Sequence, residues 1–416
     1  MSRSSITPEP IYPDRPASLR AWVDVDLGAV RRNADRLRAR AGVPIVAMVK
    51  ADAYGLGMVP IARALGADFG EAADAARAPN APWALGIATL HEAAELRRHG
   101  CVARVLCTTP LTVHDVPEAQ ALQVRPALHD SATIGAWLAM QGGPWHLAID
   151  TGMARAGVRW DGIAALRETL HDARHVNPPE GVFTHFHSAE VDDGSLAVQD
   201  ARFEQAVAAI RDLLPEGVLV HSDNSAAIAV GGASNARRRH LARPGIGLYG
   251  ANVLPSLPLE QVVRVCARVI DVRDMQSGES VSYNATWQAD SPRRIATVAL
   301  GYADGYRRAL SNRGVALVHG VRVPVVGNVT MDMTMLDVTG LGAACVVGDV
   351  ATFVGRDGLD VLRTDAVAAT GAISMYELLV GLRLRAPRFY VDTPTVGTAG
   401  DASGATNDPP SSEARP

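Results

Sequence analysis

VPIVAMVKADAYGLG, residues 43 to 57, decides how the rest of the chain is read. Val43, Ile45, Val46, Ala47, Met48 and Val49 make a short apolar run of the kind that a strand buried on both faces needs. The run ends in Lys50, and Tyr54 and the pair Gly55 and Gly57 follow within a few positions. An ammonium is thus carried to the edge of a buried strand, where glycines permit a tight exit.

Runs of the same texture recur outward from this one: 45–49 (IVAMV), 84–88 (ALGIA), 103–107 (ARVLC), 124–128 (VRPAL), 146–150 (HLAID), 182–186 (VFTHF), 218–222 (VLVHS) and 241–246 (LARPGI). Amphipathic segments such as LHEAAELRRHG (90–100) and SATIGAWLAMQ (131–141) separate them. Asp26 suits the N-cap of an opening helix with Leu27, Val30, Ala34 and Leu37 on one face. Strand and helix alternating in this way predict a (β/α)₈ TIM-type barrel, with a doubly wound open sheet as the alternative topology. After about residue 260 the texture changes to β-rich runs between glycine turns, among them VVRVCARVIDVRDM, RIATVAL and VALVHGVRVPVVG. These predict a C-terminal all-β domain with one late helix around Ser374–Leu382. The expected divisions are a disordered leader at 1–19, the barrel at 20–260, the β-domain at 261–393 and a disordered tail at 394–416. Residues 70–82, rich in Ala and Pro, read as a surface excursion between a helix and the second strand.

Composition excludes several function classes. The chain has 416 residues, 48% hydrophobic and 20% charged, with a formal net charge of −4, so there is no electrostatic case for nucleic acid or a membrane surface. Arg237, Arg238 and Arg239 form one basic cluster without aromatic neighbours, which reads as a solvated loop. Four scattered cysteines, Cys101, Cys107, Cys266 and Cys345, make no CxxC pair and suit the reducing cytoplasm. The N-terminus lacks an apolar signal region, and no stretch reaches membrane-spanning length.

The chemistry gathers at strand ends, where barrel enzymes build their sites. Lys50 follows the first run, Asp150 ends the fifth, and Arg155 lies in the glycine-flanked loop beyond it. His185 ends the sixth run, His221 with Asn224 and Ser225 the seventh, and Arg243, Gly245 and Ile246 the eighth. Taken one at a time, a strand-end lysine is a solvated charge and a strand-end histidine satisfies a local hydrogen bond. Together on one rim they ask for a common explanation. The seventh and eighth connections of a barrel commonly hold phosphate, and here HSDNSAA offers a hydroxyl and RPGIG offers approachable N–H groups. Lysine, phosphate anchor and arginine outline a pyridoxal phosphate site.

VKADAYGLG, DTGMARAG, THFHSAE, VHSDNSAA, ARPGIGLYG, VSYNATW, LGYADGY and VGNVTMDM together resemble the signature segments of bacterial alanine racemases, over roughly residues 20 to 391. The resemblance implies a fold-type III pyridoxal phosphate enzyme, an isomerase that supplies D-alanine for cell-wall peptidoglycan as a cytoplasmic homodimer. Carried over residue by residue, it implies that Lys50 bonds covalently to the cofactor, while Tyr54, Ser225, Gly245, Ile246 and Tyr376 hold the phosphate. Arg155 would bond the ring hydroxyl and the substrate carboxylate, and Arg243, with His221 behind it, would meet the pyridine nitrogen. Tyr283, poised by His185, would be the second base beside Lys50, acting in the partner subunit's site. The backbone of Met331 would help hold the substrate carboxylate, with Asp332 in the same loop, and Tyr302 would line the approach.

The sequence also departs from that family. Many members have a lysine, carbamylated and bonded to the arginine at the Arg155 position, where this chain has Ala148. A bound anion, a water or His187 would have to orient Arg155 instead. With Thr330 in the loop before Met331, and His187 in place of a small residue, the departures fall near the substrate pocket and open a broader substrate range, including serine.

Two other functions compete. His185, His187, His221 and Asp223 could hold zinc in a metal-dependent hydrolase, although such sites usually begin with an HxH pair on the first strand. A single-barrel protein could bind pyridoxal phosphate without turnover, but it would lack the β-domain that carries VSYNATW here.

Overall fold

The computed structural model describes residues 12–70, 80–231, 239–251, 257–382 and 385–393. Seven strands lie side by side in chain order: Val46–Met48, Ala84–Ile87, Val105–Pro110, Val124–Leu128, His146–Asp150, Gly181–Phe183 and Leu219–His221. Every pairing among them is parallel. Parallel neighbours need crossover connections, and helices such as Leu90–Arg98, Ser131–Ala139 and Ser195–Ala209 supply them. A two-residue strand, Val158–Arg159, adds to the edge of His146–Asp150.

The expected eighth strand, 241–246, is cut down to two single bridges, Leu241 beside His221 and Ala242 beside Ile45. They still close the ring. The Ala242 N–H donates to Pro44 O at 3.1 Å, while Val46 and Met48 donate to Ala242 O at 2.8 Å and Pro244 O at 3.1 Å. Pro244 has no N–H to return, which stops the ladder there. The architecture is the predicted barrel, with its last member shortened.

The second sheet has nine strands around the long Val263–Met275. Arg293–Val298 and Val350–Asp357 pair with it antiparallel, as does Ala21–Asp26. Arg388–Val391 then lies parallel to Ala21–Asp26. Residues 21–26, grouped with the barrel in the sequence reading, therefore belong to the second sheet. The reason is the buried Asp24 carboxylate, which needs Arg15 at 2.5 Å, the Trp22 indole at 3.1 Å and Arg264 at 3.6 Å. The chain then crosses to the barrel through helix Leu27–Ala41, capped by Asp26 and closed by Gly42 at φ 69°.

Part of the expected disordered leader is ordered. Arg268 donates to the carbonyls of Arg15 at 2.7 Å and Leu19 at 3.1 Å, pinning 15–19 to the second sheet. Residues 1–11, 71–79 and 394–416, where the rest of the leader, most of the excursion and the tail were expected, lie outside the described residues. Arg239 also departs from expectation. It is buried and paired with Asp200 and Glu204, its guanidinium over the Phe203 ring, while Arg237 and Arg238 lie outside the described residues. The expected late helix runs Met375–Gly381, capped by Ser374, and a second helix, Thr364–Thr370, precedes it where only one was expected. One apolar core runs from the barrel helices through to the second sheet. Among the described residues no helix is long and apolar enough to cross a membrane.

Candidate active site

Strand Val46–Met48 brings Lys50 to the rim, and the backbone then does something costly. Ala51, Asp52, Ala53 and Tyr54 all have left-handed φ, at 54°, 56°, 53° and 58°. For residues with a Cβ this costs roughly 1–2 kcal/mol each, so the turn must be held from outside. Glu92 accepts the Ala51 N–H at 2.6 Å while also accepting Ala88 N–H at 2.7 Å at the start of its own helix. Asp52 accepts the Met58 N–H at 2.7 Å and pairs with Arg388, which reaches over from the second sheet and also bonds Gly55 O at 2.8 Å. Lys50 is thereby fixed on a braced turn. Burial, then the charge of Arg155, lowers its pKa from the ordinary lysine value, with Glu92 opposing.

Beside the lysine strand, Ser225 opens helix Ser225–Gly231 and accepts the N–H groups of Gly245 at 3.0 Å and Gly247 at 3.1 Å. A Cβ on Gly245 would lie 2.3 Å from the Tyr54 hydroxyl, so only glycine lets the tyrosine close over this backbone. Tyr54 packs between Tyr249 and Tyr376, their rings tilted against it with centroids 4.7 and 5.8 Å away. Burial raises the pKa of the Tyr54 hydroxyl, keeping it a neutral donor. The Tyr249 hydroxyl bonds Met48 O at 2.7 Å and ties this cradle to the lysine strand. Backbone N–H groups, a serine and a neutral tyrosine converge there as a phosphate would require.

Arg243, two residues before Gly245, is buried to 4% exposure. Its Nη1 meets His221 Nδ1 at 2.7 Å, and Nη2 donates to Thr184 O at 2.6 Å and Ser222 O at 3.2 Å. Burial pulls its pKa down to about 10, which leaves it charged at neutral pH. His185 is pushed down to about 3 by burial and by Arg243, Arg155 and Lys50, so it is neutral. Arg243, Arg155, Lys50 and this imidazole share one field, and the residues present fit pyridoxal phosphate, which Lys50 and the Ser225 cradle would hold.

Arg155 is placed by its loop. Asp150 accepts Gly152 N–H at 3.0 Å and Ala154 N–H at 3.1 Å, and Gly157 turns back so tightly that a Cβ would sit 2.7 Å from Asp150 N. The Arg155 side chain is exposed and has no hydrogen bond among the described residues. Ala148 packs with Ala127 and Phe183, offering it no polar support. His187 does not take that part; its Nδ1 faces Ser188 Oγ at 3.1 Å.

The second sheet contributes Tyr283, Tyr302, Met331 and Asp332. Tyr283 is 71% exposed, on a turn where Ser282, Asn284 and Ala285 also have positive φ. Asn328 braces this turn, donating to Tyr283 O at 2.7 Å and accepting from Ser282 Oγ at 2.7 Å. Among the described residues no hydrogen bond joins Tyr283 to His185 or Lys50 of the same chain. The Met331 carbonyl accepts Ala303 N–H at 3.0 Å. Arg385 then clamps this loop to the next, bonding Asp332 Oδ1 at 2.7 Å and the buried Asp304 at 2.7 and 2.9 Å. Glu92, Arg385 and Arg388 were not singled out from sequence, though Thr89-x-x-Glu92 is a legible capping box.

The zinc reading loses its ligand. His221 spends Nδ1 on Arg243 and Nε2 on His146 at 2.7 Å, leaving no lone pair for a metal. Among the described residues no group of three His, Cys, Asp or Glu side chains gathers as a metal site.

Family models described as the alanine racemase N-terminal and C-terminal domains match residues 25–253 and 262–390. The chain belongs to the alanine racemase family. Curated alanine racemases resemble it nearly end to end. That of Syntrophobacter fumaroxidans is 34% identical over 384 residues, covering 86% of this chain and 94% of its own. That of Deinococcus radiodurans is 36% identical over 373 residues, covering 89% and 98%. Among solved structures, alanine racemase from Bartonella henselae with covalently bound pyridoxal phosphate superposes with a TM-score of 0.78 at 26% identity, over 89% of this chain and 99% of that one. The enzyme from Bacillus anthracis with bound L-Ala-P gives 0.78 at 28% identity, over 91% and 96%.

Proposed function

We propose that this protein is a pyridoxal phosphate-dependent isomerase that interconverts L- and D-alanine with two bases, Lys50 and Tyr283 of the partner subunit. The observation that carries the reading is the placement of Lys50, on its braced turn, at the end of the strand that neighbours the 241–246 segment, which carries buried Arg243 and the Gly245 side of the Ser225–Gly245 cradle. Pyridoxal phosphate, when bound, withdraws electrons from the α-carbon of an amino acid joined to it and so acidifies the α-proton.

The protein must then take that proton from one face and return one to the other. Lys50 serves one face, and its neutral amine is favoured by burial and by Arg155. Tyr283 serves the opposite face, and an exposed tyrosine on a rigid, strained turn suits delivery into a second copy's barrel mouth. That makes a homodimer with shared sites the working unit. Arg155 holds the substrate carboxylate, assisted by the Met331 backbone. Arg243 would meet the pyridine nitrogen as a donor that keeps its own proton, which would keep the cofactor's electron withdrawal moderate.

Four buried free thiols support a reducing, cytoplasmic setting, where D-alanine would feed peptidoglycan. The test is a panel of L-amino acids incubated with the purified, cofactor-loaded protein while optical activity is followed. Loss with alanine foremost is expected. Loss with serine as well would show that the unsupported Arg155 widens the pocket, and none at all would overturn the reading.

A further inference from the structure

Behind Arg243 a chain of polar groups runs away from the mouth through the barrel. His221 Nε2 lies 2.7 Å from His146 Nδ1, His146 Nε2 lies 3.3 Å from Glu180 Oε2, and Glu180 Oε2 accepts Arg125 Nε at 2.7 Å. Both imidazoles are fully buried. Arg125 is the outer end, lining a cavity of about 430 Å³, with its guanidinium 5.7 Å from the Trp83 ring. Room for the chain is built in, because His146 pairs with Gly181 on the next strand and a Cβ there would lie 2.5 Å from His146 Nδ1.

Donor arithmetic leaves one arrangement. Arginine only donates, so His221 Nδ1 accepts from Arg243 and the His221 proton sits on Nε2. That proton points at His146 Nδ1, which must be bare, so the His146 proton sits on its own Nε2 and goes to Glu180. A second proton on either ring would set donor against donor. Glu180, which burial would raise, is brought instead to about 2 by His146 and Arg125, so the far end stays an acceptor. Arg239 and His240 also face His221, and both add field against its protonation.

We propose that His146, Glu180 and Arg125 are positioning residues for Arg243, fixing the tautomer of His221 and through it the orientation of the guanidinium that meets the cofactor's ring nitrogen. Only that last link rests on the proposed function; the chain itself does not. A histidine that merely fills the core could carry its proton on either nitrogen, and its loss would leave the cofactor's electronics alone.

The first measurement is nitrogen NMR of cofactor-free protein labelled with ¹⁵N-histidine. Both His146 and His221 should be neutral with the proton on Nε2 from about pH 8 down to about pH 6.5, the ordinary imidazole value. Either ring found with its proton on Nδ1, or doubly protonated in that range, overturns the chain. The second compares His146→Leu with His146→Gln in the loaded protein, with folding checked by circular dichroism. The leucine should shift the absorption maximum of bound pyridoxal phosphate and weaken its retention roughly tenfold, while glutamine, which accepts and donates, restores both. A folded leucine variant with the wild-type spectrum and retention overturns the proposal. If wild-type protein binds no pyridoxal phosphate, the proposed function fails, and the cofactor-free spectra still decide the chain.

Discussion

Arg243 donates through Nη1 to Nδ1 of His221 at 2.7 Å, and this buried contact joins the barrel mouth to the barrel interior. It uses a histidine as an acceptor rather than as an acid. The site around it is accordingly a place where cations are held in number and kept apart by neutral groups. Its consequences can be measured.

Replacing Lys50 with alanine should abolish covalent retention of pyridoxal phosphate. After gel filtration the variant should carry no cofactor absorbance, and its racemase rate should fall by about a thousandfold or more. A Lys50→Ala protein that retains coloured cofactor would place the attachment elsewhere.

Ser225→Ala and Gly245→Ala probe the cradle in different ways. The serine variant loses a hydrogen bond to a charged group and should bind pyridoxal phosphate roughly tenfold more weakly. The glycine variant must displace the Tyr54 hydroxyl, 2.3 Å from the added Cβ, and should bind more weakly still. Cofactor titration by absorbance checks both, and wild-type affinity in either would remove the phosphate from this cradle.

Glu92 holds the left-handed turn that carries Lys50. Glu92→Ala strands the N–H groups of Ala51 and Ala88 and removes a helix capping box, so roughly 2–4 kcal/mol of stability should go. Urea unfolding with unchanged slope would measure it, and a loss within ~0.5 kcal/mol would show that the turn needs no brace.

Acid should destabilise the fold well before ordinary carboxylates titrate. His146, His185 and His221 are all held below the usual imidazole value, His185 at about 3. Below about pH 6.5 the unfolded chain binds protons that the native state refuses, so stability falls as pH drops, by up to about 1.4 kcal/mol per pH unit for each group. Glu180 has the same sign: its contribution is present above 4.5 and is lost as pH falls toward 2. Denaturation midpoints between pH 7 and 4 check this, and a flat profile would contradict it.

Much of this was legible because barrels put chemistry at strand ends, which is where Lys50, Arg155, His185, His221 and Arg243 were found. The left-handed turn was not, since nothing in Ala51-Asp52-Ala53-Tyr54 demands positive φ; Glu92 and Arg388 impose it from distant elements. His146 escaped notice because it starts its strand rather than ending it. The apolar text of AWVDVD hid its sheet, which is set by long-range partners of Asp24. LARPGI read as a full strand because the missing N–H of Pro244 shows its effect only in the ladder.

The measurement that bears most directly on the two-base account is α-proton exchange in deuterated water, run from L-alanine and from D-alanine separately. Wild-type protein should exchange both, Tyr283→Ala should lose exchange preferentially from one enantiomer, and Lys50→Ala should lose all activity. Equal loss from both enantiomers in Tyr283→Ala, together with an active Lys50→Ala, would contradict it.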